Sequence, residues 1–345
     1  MAERLGKRVK TERKLVGKSH SLDYLFEKFI IAKTAEGRTV KTIKSYHENY
    51  SYFIEYLDSK GIEKIFNKMT SEIMRNYIVF MLKEKVRFDG HAFKNDKEKT
   101  IGLSPVTVNT RLKTLRTFFK FLCDESIVDS NPLQLVKKVE ENDEAIIVLT
   151  LDELQRLLNA PNLRRYTDFR DYVLMNVLLD SFLRINEALS LKASDIDAES
   201  GVITIRSETS KSRRTRIIPI QKSTVKLLTE LIDENEEFET DYIFLANYGE
   251  PMEANHFRKR LKQFVVKAGI TKRVHPHLFR HTGATIFLEA GGDIRHLQMI
   301  LGHKDIRMVL RYTHLSNKAL KNQHDRYSPL NILKGKLSKE RKILL

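Results

Sequence analysis

The sequence predicts a mainly α-helical protein with a small β-hairpin or sheet, built as an N-terminal helical domain followed by a C-terminal α+β domain. Three observations carry that prediction. Apolar residues recur every three or four positions through most of the 345-residue chain, the period of a helix with one buried face. Two β-branched runs, Val202, Ile203, Ile205 and Ile217, Ile218, Ile220, flank a polar, basic turn, which is a hairpin pattern. An acidic, aperiodic stretch near Val139 to Ile146 interrupts the helical pattern, and a chain of this length exceeds one small core.

Residues 1–18 hold seven Lys or Arg against two Glu and no apolar period, so they form a basic arm. The helical domain, residues 19–139, opens with the run from Ser21. A second helix follows, in which Ile43, Tyr46, Tyr50, Phe53 and Leu57 share a face. Thr70 or Ser71 caps a third helix. Ser104 caps a fourth, with Pro105 at its first position. The polar segment from Val86 to Gly102 reads as a long loop. Residues 140–149 form the linker.

The second domain begins where Thr150 and Glu153 are spaced as a capping box. The apolar helix Phe169–Leu183 leads to Arg184–Asp197 and then to the hairpin. Further helices are expected at Ser223–Asn235, Ala254–Lys267, Pro276–Ala290, Asp293–Leu301 and Asp305–Tyr312, with Gly291 and Gly292 as a C-terminal cap.

A formal net charge of +16 points to a polyanionic partner, nucleic acid foremost. The single cysteine, Cys123, excludes an internal disulfide and multi-cysteine zinc sites. No apolar stretch approaches the ~20 residues of a membrane span. The N-terminus lacks the apolar core of a secretory signal. A cytoplasmic, nucleoid-associated protein is expected.

Six histidines, four arginines and one tyrosine, Tyr312, fall within residues 275–314. His277 and His281 have the helical spacing of a metal pair, but Arg280 lies between them, and a fixed cation there opposes a divalent metal. The His-Pro-His run at 275–277 mimics a relaxase metal motif, yet Pro276 opens a predicted helix rather than a strand. No metal is therefore assigned. A phosphodiester fits better: Arg280 and His277 share a helix face, Gly302 permits a turn presenting His303, and Tyr312 ends the next helical stretch. A tyrosine facing a bound phosphate suggests a covalent intermediate. His256, His275, His296, His314 and His324 read as surface or capping residues, and Tyr24, Tyr46, Tyr50, Tyr52 and Tyr56 as core or rim.

These residues resemble the tyrosine recombinases, the phage integrase family. The C-terminal signature of that family is His-x-Leu-Arg-His, then Leu-Gly-His, then a tyrosine nine residues on. Here it stands as HLFRH (His277–His281), LGH (Leu301–His303) and Tyr312, with Arg280 and His303 separated by 23. An earlier Gly-Leu-Arg-x-x-Glu box matches Phe182–Glu187, giving Arg184 and a supporting Glu187. A hairpin lysine about eight residues before a strand-ending proline selects Lys211, with Pro219 as the proline. Phe182 replaces the usual glycine, Phe279 the usual leucine, and Arg213 and Arg214 crowd a tip that lacks the common Gly-Lys-Gly.

The resemblance covers residues 150–316 by motif and 21–139 by architecture. It implies a core-binding domain and a tyrosine recombinase catalytic domain that clamp double-stranded DNA. The implied chemistry needs no cofactor, metal or ATP. Tyr312 attacks the scissile phosphate, Arg184 and Arg280 hold its oxygens, His277 and His303 donate, and Lys211 protonates the leaving 5′ oxygen. Glu187 orients the site, and His281 is expected to be a buried support for Arg280. Candidate DNA contacts are Lys41, Lys44, Arg111 and Lys113 on the helical domain, with Arg213 and Arg214 at the hairpin. The implied assembly is a homotetramer on paired inverted half-sites, with residues 317–345 docking onto a neighbouring protomer and accessory DNA-bending proteins as possible helpers. Three alternatives stand beside it: a type IB-like topoisomerase, a metal-dependent relaxase or replication nuclease, and a non-catalytic DNA-binding regulator.

Overall fold

Four helices build the N-terminal half, and three of them start on a side chain that caps them. In this computed structural model, which describes residues 20–87, 99–141, 147–208, 214–313, 321 and 324–330, these are α1 (Leu22–Ala35), α2 (Val40–Ser59), α3 (Ser71–Lys83) and α4 (Pro105–Asp124). The hydroxyls of Thr39, Thr70 and Ser104 accept hydrogen bonds from the amides of Thr42, Ile73 and Thr107 at 3.3, 3.2 and 3.4 Å. Each removes one orphan donor from a helix start.

The core between these helices is strongly aromatic. Phe29, Phe53, Phe118 and Phe119 are fully buried, and the Phe26 and Tyr50 rings stack with centroids 3.8 Å apart. The expected loop of 86–102 is closed at its base by an antiparallel bridge, Val86 to Ile101. Asn109 fastens the chain leaving this unit, donating to Val139 O at 2.8 Å and accepting from Val139 N at 3.0 Å. Contacts divide the chain into two units, Met1–Asp143 and Glu144–Leu345.

In the second unit, α5 (Leu151–Leu158) opens on the Thr150–Glu153 capping box that its sequence predicts. The central helix α6 (Tyr166–Ser181) is buried on nearly every side, as a helix at the middle of a core must be. It even buries Arg170 and Asp171 completely. Asp171 accepts from Arg170 Nη2 at 2.8 Å, Arg170 Nη1 donates to Leu245 O at 2.5 Å, and Arg260 bridges Asp171 and Asp168. Two cations and two anions thereby neutralise one another, with Arg170 and Asp171 out of water and Arg260 and Asp168 at the partly exposed edge.

After the short α7 (Ile185–Leu189) come three antiparallel strands in the order β1 (Ile196–Asp197), β2 (Val202–Ile205), β3 (Arg216–Pro219). In the hairpin, Ile203 faces Ile218 and Ile205 faces Arg216. Helices α8 (Lys222–Glu234), α9 (Ala254–Lys267), α10 (Pro276–Glu289), α11 (Ile294–Leu301) and α12 (Arg307–Leu310) complete the unit. The helix expected at Asp305–Tyr312 is thus one turn long. Asp305 lies outside it, its carboxylate accepting from Arg307 N at 2.9 Å. Among the described residues no helix is long and apolar enough to cross a membrane.

The end of α6 shapes the region that matters for function. Phe182 leaves the helix in the left-handed conformation, φ +53°, a state costly for a residue with a Cβ. Its ring packs over Gly283 of α10, where an added Cβ would sit 2.5 Å from a ring carbon and 2.8 Å from Leu179 O. Gly283→Ala is therefore expected to destabilise the second unit by about 1–3 kcal/mol through overpacking. A urea melt would show this, and an unchanged midpoint would mean that the contact is soft.

Candidate active site

Arg184 follows the left-handed turn and precedes the first residue of α7. Its position is set by Glu187, whose carboxylate accepts from the Arg184 amide at 3.1 Å and from Arg184 Nη1 at 3.0 Å. Glu187 is 2 % exposed. Burial alone would raise its pKa, but hydrogen bonds and charge from Arg216 and Arg184 hold it below the ordinary carboxylate range. Arg216 of β3 donates to it from Nη2 at 2.7 Å. Sequence reasoning missed this arginine. The signal was available: strand alternation places Arg216 on the face of Ile218 and Ile220, both buried.

Arg280, on the second turn of α10, lies at the centre and is 4 % exposed. Its Nη1 donates to Phe182 O at 2.7 Å, and its Nη2 donates to Leu301 O at 2.8 Å and to His303 Nε2 at 2.9 Å. The left-handed turn of Phe182 thus aims a carbonyl at the guanidinium. Burial and the neighbouring Arg184 push Arg280 down to about 10, still cationic at neutral pH. His303 follows Gly302, whose φ is +64°. An arginine can only donate, so His303 Nε2 accepts and its proton sits on Nδ1. Among the described residues that Nδ1 is buried with no hydrogen-bond partner. Burial, then Arg280 and Arg184, push His303 down to about 4, so the ring is neutral.

Tyr312 is 4 % exposed and packs with Phe182, Ala284, Leu288, Leu297, Leu301 and Val309. Its hydroxyl is 2.8 Å from His281 Nδ1. Burial raises its pKa, while Arg280, Arg311 and Arg184 act against that rise. His281, expected to support Arg280, thus holds Tyr312 instead. His281 is pushed down to about 4, first by burial and then by Arg311 and His277. His277 keeps an exposed edge. Desolvation of its inner side, His275 and Arg280 lower its pKa.

The structure therefore brings together Arg184, Glu187, Arg280, His281, His303 and Tyr312, with His277 a turn before Arg280. Lys211 and Arg213 lie outside the described residues, as do residues 314–320, 322–323 and 331–345. Arg214 is exposed and lines a cavity of about 450 Å³ with Arg216, Gln298, His303 and Lys304. Lys41, Lys44 and Lys113 are exposed. Arg111 is not a free surface cation. It is 9 % exposed and its guanidinium lies 3.5 Å from the centroid of the Tyr52 ring, a stacking that satisfies it within the helical unit.

Comparison with known proteins adds independent observations. Residues 148–319 match the model of the phage integrase family, and residues 22–139 match the phage integrase SAM-like domain. The tyrosine recombinase XerD of Listeria innocua is 28% identical over 311 residues, 88% of this chain and 97% of that protein. The tyrosine recombinase XerC of Chlamydia muridarum is 32% identical over 230 residues, 66% of this chain and 72% of that protein. Among solved structures, the Tn1549 transposon integrase in complex with a circular intermediate DNA superposes with a TM-score of 0.69 at 20% identity. That match covers 89% of this chain and 100% of the other.

Proposed function

Given that the chain belongs to the phage integrase family and is a tyrosine site-specific recombinase, an enzyme that cuts and rejoins DNA, we propose that Tyr312 is its nucleophile and that Arg184, Arg280, His277 and His303 bind the scissile phosphate. The observation that carries this assignment is the convergence on Arg280. Its guanidinium contacts His303 directly and stabilises charge on Tyr312. A phosphate between them gains charge as it is attacked, and preorganised donors that need not move stabilise that charge most.

The step is a transesterification. Tyr312 Oη forms a bond to phosphorus, the bond from phosphorus to the 5′ oxygen breaks, and Lys211 supplies the proton that the leaving oxygen needs. The phenol proton leaves as the new bond forms, and the neutral imidazole of His281 is the adjacent acceptor. The phosphotyrosine conserves the ester, so the 5′ hydroxyl of a partner strand reseals it by the reverse step. Exchanging two duplexes requires four such cleavages, and each protomer carries one Tyr312. The working assembly is accordingly a homotetramer on paired inverted half-sites, with residues 19–139 and residues 150–316 each contacting DNA and residues 317–345 joining neighbours.

The test is to trap the protein on a library of nicked half-sites, digest it, and locate the nucleotide-bearing peptide by mass spectrometry. The expected peptide contains Tyr312. Attachment at any other residue would refute the assignment. His281→Ala and His281→Asn should both slow adduct formation by about 10-fold or more, because the amide of Asn keeps a hydrogen-bonding group near Nδ1 but cannot take up the phenol proton. Wild-type rates in both variants would remove His281 from the site.

A further inference from the structure

We propose that Arg216 is a positioning residue that sets Glu187, and through it Arg184, while tying the hairpin strand to the end of α11. The proposal rests on the reading above, in which Arg184 grips the scissile phosphate.

At least four contacts converge on this one side chain. Arg216 Nη2 donates to Glu187 Oε2 at 2.7 Å, Nη1 reaches Glu187 Oε1 at 3.5 Å, and Nε donates to Ile300 O at 3.3 Å. The fourth is a close passage under the turn that presents His303. A Cβ added to Gly302 would lie 3.2 Å from Arg216 Cδ and Nε. Glycine at 302 therefore serves twice, giving the left-handed backbone and leaving room for the guanidinium. Arg216 begins β3, Glu187 lies in α7 and Ile300 in α11, so three separate elements meet on one planar fork. A lysine has the charge but not the fork.

Glu187 in turn stands between two arginines, accepting from Arg184 at its amide and at Nη1. The charged groups facing it are Arg216, Arg184 and Arg280. With Arg216 present, the carboxylate is satisfied from the hairpin side and Arg184 shares its charge with an incoming phosphate. Without Arg216, a carboxylate 2 % exposed has lost a bidentate partner. It then either draws Arg184 further onto itself or takes up a proton. Both changes move Arg184 from the geometry that attack requires, and an ångström of misplacement is worth about 10²-fold in rate.

The experiment uses the full chain and a half-site recovered by covalent trapping, with single-turnover adduct formation measured at saturating protein across the pH range. Arg216→Gln is expected to slow adduct formation by about 10- to 100-fold, with half-site affinity within about 3-fold. Its rate should also fall away at a higher pH than in the wild type, because Glu187 is no longer held ionised by Arg216. Arg216→Lys should restore the acid limb, since the charge is back, but leave the rate about 3- to 10-fold low for want of the fork. Combining Arg216→Gln with Glu187→Gln should cost no more than Glu187→Gln alone, as for residues acting in series.

Additive losses, or an Arg216→Gln variant with the wild-type pH profile, would overturn the proposal. Should Arg216→Gln fail to bind the half-site, Arg216→Lys decides alone: wild-type rate and profile together would sink the role of the fork. Failure of the underlying reading looks different, because the wild-type protein itself would then form no adduct at Tyr312.

Discussion

Tyr312→Phe is expected to bind a half-site as the wild type does and to form no covalent adduct that survives denaturation. The substitution removes one oxygen. The ring keeps its place among Phe182, Ala284, Leu288, Leu297, Leu301 and Val309, so the fold loses the hydrogen bond to His281, a matter of about 1 kcal/mol. The chemistry loses its nucleophile, and removing such a group takes the rate to background, about 10⁴-fold or more. Denaturing gels of trapped DNA measure the adduct and a thermal melt measures the stability. A persistent adduct would move the nucleophile elsewhere.

Arg280→Ala should produce the second largest effect, and it should reach both stability and chemistry. The wild-type guanidinium satisfies Phe182 O, Leu301 O and His303 Nε2, so truncation leaves three acceptors unpaired in a buried place, each costing about 1 kcal/mol or more. Relief of repulsion with Arg184 and Arg216 works in the opposite direction, which keeps the net destabilisation to about 2 kcal/mol. Cleavage should fall by about 10²-fold or more, the scale for losing one transition-state donor. Arg280→Lys restores the charge but cannot reach three carbonyl and ring acceptors from one ammonium. It should therefore regain DNA affinity while remaining slow. A rate within a few-fold of wild type in Arg280→Ala would take the central role away from this residue.

The amino-acid sequence by itself determined the local half of this protein. Period, caps and turn residues place α2, α4, α5 and the hairpin, because helix and strand preferences are settled within a few residues by side-chain entropy and backbone bonding. The spacing of Arg184, His277, Arg280, His303 and Tyr312 is also a linear fact, and it names the chemistry before any coordinates do. What only the tertiary structure decided is which side chains face one another. His281 and Tyr312 are 31 positions apart and Arg216 and Glu187 are 29 apart. No local preference encodes a pairing across that distance; it follows from how α10 packs on the buried α6 and how α11 packs against α10 and β3. The same reason explains Arg111, a cation four positions from Leu115 whose helix face turns it onto Tyr52 instead of toward solvent. Charge is a property of the residue, but exposure and partnership are properties of the packing, and those close only when the core does.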